Sequence, residues 1–222
     1  MEIKNIFKPT LLLDTSICER NIKKMLSKTK DSNICFRPHF KTHQSGGIGA
    51  TFINQGVDKI CVSSVDMAEY FIEAGWKNIT IAIPVNLREI DRINKLAQLA
   101  ILNLLIEDTT VAIELNKSIH KVSNVFIKID NGYNRTGISY YNLEKIDSLI
   151  SVIDSCENLI FSGFLSHFGN TYSAVNHIDI ETIYYDSVSQ MNVLKERYIA
   201  KYPSLKISIG DTPSASQIDR FQ

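Results

Sequence analysis

Short, continuously apolar runs return along this chain at a steady interval, and between them the apolar residues switch to helical spacing. The runs fall at 10–14 (TLLLD), 34–41, 59–64 (KICVSS), 79–84 (ITIAIP), 102–108 (LNLLIED), 125–131 (VFIKIDN), 159–168 and 205–210 (LKISIG). A strand with one wet face alternates apolar and polar residues. One buried on both faces is apolar throughout, as most of these are. A helix is predicted from about Ser16, its expected N-cap, to Lys30, with Ile17, Ile22, Met25 and Leu26 inward. Another over 87–100 aligns Leu87, Ile90, Ile93, Leu96, Ala97 and Ala100. A third over 142–154 aligns Leu143, Ile146, Leu149, Ile150 and Ile153, and a long fourth covers about 177–200. Repeated strand–helix units of this length impose an α/β fold around a parallel sheet.

Such a sheet closes into a (β/α)8 TIM-type barrel or stays open and doubly wound. No G-x-G-x-x-G follows the first run, which argues against a dinucleotide-binding sheet. A barrel also explains why polar residues gather where strands end. His39 and Lys41, Asn131 and Arg135, His167, and Gly210 to Thr212 all follow an apolar run. In a barrel those ends meet on one face, where active sites are built. The expectation is one barrel domain over residues 1–222.

The 24 basic and 24 acidic residues cancel, so no net field recruits nucleic acid or an anionic membrane. No apolar run approaches the ~20 residues a membrane span needs. The N-terminal MEIKNIFKPTLLLD lacks the long apolar core and small-residue cleavage site of a signal peptide. Cys18, Cys35, Cys61 and Cys156 are scattered without C-x-x-C spacing, as in a reduced, cytoplasmic protein.

Four segments carry candidate chemistry. Lys41 stands beside Arg37, His39 and His43, cationic neighbours that disfavour its protonation and favour a Schiff-base nucleophile. The alternative is a solvated basic turn. Arg135 follows a strand in a loop bounded by Gly132 and Gly137 and suits a carboxylate or phenolate, or else pairs with Asp130. His167 suits a flat heterocycle and Tyr172 a hydroxyl contact, unless the histidine is a satisfied buried residue. In Gly210-Asp211-Thr212-Pro213-Ser214, backbone amides and hydroxyls suit a phosphate provided Asp211 turns away. A Ser/Thr turn opening a helix fits the same residues. No zinc-ligand spacing occurs.

Taken together, Arg37-Pro38-His39-Phe40-Lys41-Thr42-His43, the R-T-G at Arg135, the H-F-G-N-T-Y at His167 and the G-D-T-P at Gly210 resemble a known family. It is the alanine-racemase-like N-terminal domain of fold-type III pyridoxal 5′-phosphate (PLP) enzymes, most similar to the D-serine dehydratase/D-threonine aldolase group. That group typically reads R-P-H-x-K-T-H around its PLP lysine. Asp14 and Asn21 also resemble its opening segment, and the likeness runs over essentially the whole chain.

The resemblance implies a PLP-dependent D-amino-acid lyase whose Lys41 carries the cofactor as a Schiff base. His39, Arg135, His167 and Tyr172 would contact cofactor or substrate, and Gly210, Asp211 and Thr212 would line the phosphate cup. The family usually has a small residue in place of Asp211. An amino-acid racemase of the same fold, or a PLP-binding module without turnover, is the alternative. The family pairs as dimers and carries a β-rich C-terminal domain, which in its lyases holds a divalent metal. This sequence ends at Gln222, soon after the G-D-T-P loop. The resemblance therefore implies a barrel lacking its closing strand, in a fragment, a split gene product or a degenerate relative.

Overall fold

The computed structural model describes Lys4 and residues 6–222; residues 1–3 and 5, part of the stretch read for a leader, lie outside the described residues. Helix α1 (Thr15–Asp31) leads to α2 (Gly46–Asn54), β1 (Ile60–Val62), α3 (Val65–Glu73) and β2 (Asn78–Pro84). A 3-10 turn (Leu87–Glu89) precedes α4 (Ile90–Leu99), β3 (Ile101–Ile106), α5 (Thr109–Ser118), β4 (Ser123–Asp130) and β5 (Ile138–Ser139). Then come α6 (Leu143–Asp154), β6 (Leu159–Ser166), a 3-10 turn (Gly169–Ser173), α7 (His177–Tyr198), β7 (Lys206–Ile209) and α8 (Thr212–Gln217).

The sheet is parallel throughout, in the order β1-β2-β3-β4-β6-β7, with the short β5 added to the end of β4. It curls as a partial barrel of the expected class. Strand periodicity separates its two faces. Val125, Ile127 and Ile129 of β4 face out, into the main core with Leu115 of α5 and Leu149, Ile150 and Ile153 of α6. Phe126 of β4 faces in, against Leu105 of β3 and Leu165 of β6, a much smaller apolar cluster. Lower on the inner face the lining is polar: Asn103 donates to Asn78, and the Arg37 guanidinium bonds the Asn78 side chain and the Ile60 carbonyl. Among the described residues β1 and β7 do not pair with each other. Side chains tie the two ends instead: the Lys28 ammonium of α1 donates to the Ala215 carbonyl and lies over the Phe221 ring.

Two expected strands are not strands. Leu11, Leu12 and Leu13 are exposed and unpaired, because no edge among the described residues stands beside them. Residues 34–41 contribute only a bridge from His39 to Cys61. Pro38 has no N–H to give and its carbonyl accepts from Cys61; the Phe40 amide then donates to the Cys61 carbonyl before the chain turns. Helix α1 is capped by Asp14, not Ser16: its carboxylate accepts from the Ile17 amide. No helix among the described residues is long and apolar enough to cross a membrane.

Candidate functional site

Parallel strands deliver the residues after their C-terminal ends to a common rim, and the polar residues singled out above sit there. His39 forms the bridge to β1 and Lys41 follows it. Arg135 follows β4, His167 follows β6, and Gly210 to Thr212 follow β7.

Hydrogen bonds tie two of these loops together. The His167 ring nitrogen Nδ1 lies 2.8 Å from the Gly210 carbonyl oxygen. A carbonyl only accepts, so Nδ1 carries the proton and Nε2 is left as a free acceptor. The Thr212 amide donates to the Tyr172 hydroxyl at 3.3 Å. Burial is the main cause that lowers the His167 pKa; the Gly210 hydrogen bond opposes it, and the charges of Arg135 and Lys41 add to it.

His39 is locked in the opposite sense. The Lys41 amide donates to His39 Nδ1 at 3.2 Å, so the proton of the neutral ring sits on Nε2. Burial, followed by the charges of Lys41 and His167, pushes its pKa down to about 4. Both imidazoles are therefore neutral at pH 7, and both feel the Lys41 ammonium. Among the described residues neither Lys41 Nζ nor the Arg135 guanidinium has a hydrogen bond or an ion pair. Asp130, the acid that sequence offers Arg135, accepts instead from the Gly132 and Asn134 amides and shapes the loop. Gly137 closes that loop with φ +109°, where any Cβ would run into the backbone of residues 128–130.

Asp211 faces inward. It is 8 % exposed, and its Oδ1 accepts from Thr171 Oγ1 at 2.7 Å and from the Ser214 amide at 2.8 Å, capping α8. The loop opens a helix, as one of the two sequence readings expects, and its acid is buried as the cap. Beside Gly210 the loop backbone is open, and a Cβ there would meet nothing within 4 Å.

Two residues at the rim were missed. Lys128 of β4 is 4 % exposed on the inner face and donates to the Ile129 carbonyl. Burial first, then the Arg135 charge, lower its pKa to about 8 against the pull of Asp130 and Glu107. The available signal was a lysine at an inward position of an otherwise apolar strand. Tyr133 is the second: its ring lies beneath the Arg135 guanidinium, 5.4 Å away, and its centroid is 5.9 Å from that of His167. Among the described residues no group of three or more His, Cys, Asp or Glu side chains is placed to hold a metal. An apolar groove of about 390 Å³ lies elsewhere, between α1 and Phe36, Pro38 and Phe52, and contains none of these groups.

Comparison with known proteins gives the family and the fold. The family model for the alanine racemase N-terminal domain matches residues 13–208. The chain is 28% identical over 239 residues to a D-serine dehydratase of Dictyostelium discoideum, covering 98% of this chain and 59% of that one. It is 28% identical over 187 residues to a 3-hydroxy-D-aspartate aldolase of Paracoccus denitrificans (strain Pd 1222), covering 81% of this chain and 46% of the relative. The solved D-threo-3-hydroxyaspartate dehydratase from Delftia sp. HT23 superposes with TM-score 0.88 at 21% identity, over 97% of this chain and 58% of that one, and so shares the fold. The chain thus spans little more than half the length of the D-serine dehydratases it matches.

Proposed function

Because the chain belongs to the family of alanine racemase N-terminal domains, we propose that it binds pyridoxal 5′-phosphate at Lys41 and serves as the cofactor-binding part of a D-amino-acid lyase. The observation that carries this is the pair of cations without counter-charge, Lys41 and Arg135, at a rim whose histidines are neutral. An anionic, flat ligand fits such a donor set. Among the matched relatives, dehydratases and aldolases support a lyase over a racemase.

When bound, the cofactor supplies an electron sink for negative charge developing at the substrate Cα. Lys41 would hold it through Nζ and move the Cα proton on its own side. The Arg135 fork would neutralise the phenolic oxygen or the substrate carboxylate with two parallel hydrogen bonds. His167, fixed by Gly210, would lie against the ring with its free Nε2 as an acceptor, while His39 offers an Nε2–H. Tyr172 and the Gly210 to Thr212 backbone would take the phosphate end, with Asp211 holding that loop by its cap. A small D-amino acid is the proposed substrate, and pairing of two copies belongs to the same reading. The four unpaired cysteines support a reducing, cytoplasmic setting.

Titration of the chain with PLP tests the assignment. Visible absorbance of lysine-bound cofactor is expected in the wild type and lost in Lys41→Ala; absorbance that persists in the variant overturns it. Incubating the complete gene product with D-threonine, D-serine and L-alanine separates the reactions. Glycine plus aldehyde marks an aldolase, pyruvate plus ammonia a dehydratase, and D-alanine a racemase.

A further inference from the structure

Tyr133 has no part in the proposed chemistry, yet its ring touches two residues on which that chemistry depends. The Arg135 guanidinium stands over it at 5.4 Å, inside the ~6 Å range of a cation–π contact. The His167 ring meets it at 5.9 Å between centroids and 80° between planes. On a third side lies Gly169, where a Cβ would collide with the Tyr133 ring atoms, so only glycine lets the ring seat there. The loop beneath is rigid: Asp130 accepts from the Gly132 and Asn134 amides, and Asn134 adopts φ +57°.

We infer that Tyr133 is a positioning residue: seated on Gly169, its ring fixes where the Arg135 guanidinium and the His167 imidazole stand relative to each other at the rim. Arg135 makes no hydrogen bond or ion pair among the described residues, so this ring is the contact that narrows its rotamers. His167 is anchored at Gly210 on one side and bounded by Tyr133 and Tyr172 on the others. The charged groups that act on it are Arg135, Lys41 and Asp211, with neutral His39 nearby. The inference concerns the rim itself. It rests on the cofactor reading only where an effect on PLP binding is expected.

The test follows His167 by NMR in histidine-labelled protein without cofactor, in wild type, Tyr133→Ala, Tyr133→Phe and Gly169→Ala. Losing the ring admits water to His167 and frees Arg135 to move away. Both changes favour the protonated imidazole, so its pKa is expected to rise by about half a unit or more in Tyr133→Ala. Tyr133→Phe keeps a ring and is expected to titrate as wild type. Gly169→Ala, which displaces the ring without removing it, is expected to shift His167 in the same direction as Tyr133→Ala and carries the test if that variant fails to fold.

In parallel, PLP affinity is expected to fall about fivefold in Tyr133→Ala and to stay within about twofold in Tyr133→Phe, the scale of one half-exposed cation–π contact. Wild-type His167 titration in a folded Tyr133→Ala protein overturns the inference, as does a Phe variant that behaves like Ala. If the wild type itself takes up no PLP, the cofactor reading fails while the His167 comparison still decides the role of Tyr133.

Discussion

Asp211 lies in the loop proposed to receive a phosphate, where its charge repels the ligand. It is also a buried cap with two hydrogen bonds at 2.7 and 2.8 Å. Two substitutions separate these effects. Asp211→Ala removes the cap of α8 and the acceptor for the Thr171 hydroxyl, which keeps the Phe168 carbonyl as its alternative. Losing a cap costs ~1 kcal/mol and losing a charge-assisted hydrogen bond about as much again, so the variant is expected to lose about 2 kcal/mol. That corresponds to a fall of roughly 5 °C in Tm for a chain of this size. Asp211→Asn keeps an oxygen acceptor in the same place, and Asn caps as well as Asp, so its loss is expected below about 0.5 kcal/mol. Its effect on PLP is the reverse of harm. Were a phosphate charge to sit ~10 Å from the carboxylate, the pair would repel by about 1.7 kcal/mol at an effective dielectric of ~20, before salt screening. Affinity in Asp211→Asn is therefore expected to tighten about fivefold at physiological salt. Thermal melts and PLP titrations of both variants give the answer. An Asn variant as unstable as Ala, or one that binds PLP more weakly than wild type, refutes the reasoning.

Three further outcomes follow from the rim. The His39 pKa is depressed in the fold to about 4 from 6.5, so its contribution to stability is fully present above about pH 6.5 and disappears as pH falls through 4. Urea unfolding of wild type and His39→Gln at pH 7 and pH 4.5 should show the wild type losing about 2–3 kcal/mol more than the variant. Lys128, with its pKa lowered to about 8, is charged at pH 7 at the expense of the fold. Lys128→Met is expected to stabilise by about 2 kcal/mol at pH 7, an advantage that shrinks as pH rises past 8 toward 10 in the same assay. Arg135→Lys keeps the charge but loses the planar fork, so PLP affinity should fall about tenfold. Its melting temperature should stay unchanged, since the guanidinium pairs with no acid among the described residues; a matching drop in stability would mean it holds the fold together.

The parallel sheet was legible because its strands are buried on both faces and leave continuous apolar runs, and β4 and β6 fall where those runs do. What sequence could not show is whether an apolar run has a neighbour. Leu11 to Leu13 look as strand-like as Ile79 to Ile81, yet only the latter find partners, in Ile60 to Val62. Short helices such as α2 and α8 left no periodic stripe long enough to read, and Ser45 and Asp211 become recognisable as caps only with the fold in hand. At the site, Lys41, Arg135 and His167 were readable as polar residues that follow apolar runs. Lys128 was hidden inside a strand, where one-dimensional reading ranks a lysine as an interruption. The direction of the Asp211 carboxylate depended on Thr171, 40 positions away.

The histidines carry the deepest consequence of the fold for the site. In sequence, His39, His167, Lys41 and Arg135 form a basic set. Folding removes the imidazoles from that set: each is half-buried, and each has one nitrogen committed to a backbone group, the Lys41 amide for His39 and the Gly210 carbonyl for His167. Protonating either would place a third positive charge beside two others. The charge left at the rim is that of Lys41 and Arg135, besides the buried Lys128 ammonium, in a chain whose 24 basic and 24 acidic residues cancel. The proposed ligand, small and planar with separated anionic groups, matches such a rim, with one imidazole offering a proton and the other a lone pair. A broad polyanion gains little from two fixed points. The geometry thus supports the proposed ligand, one compact, flat anion, over a broad polyanion.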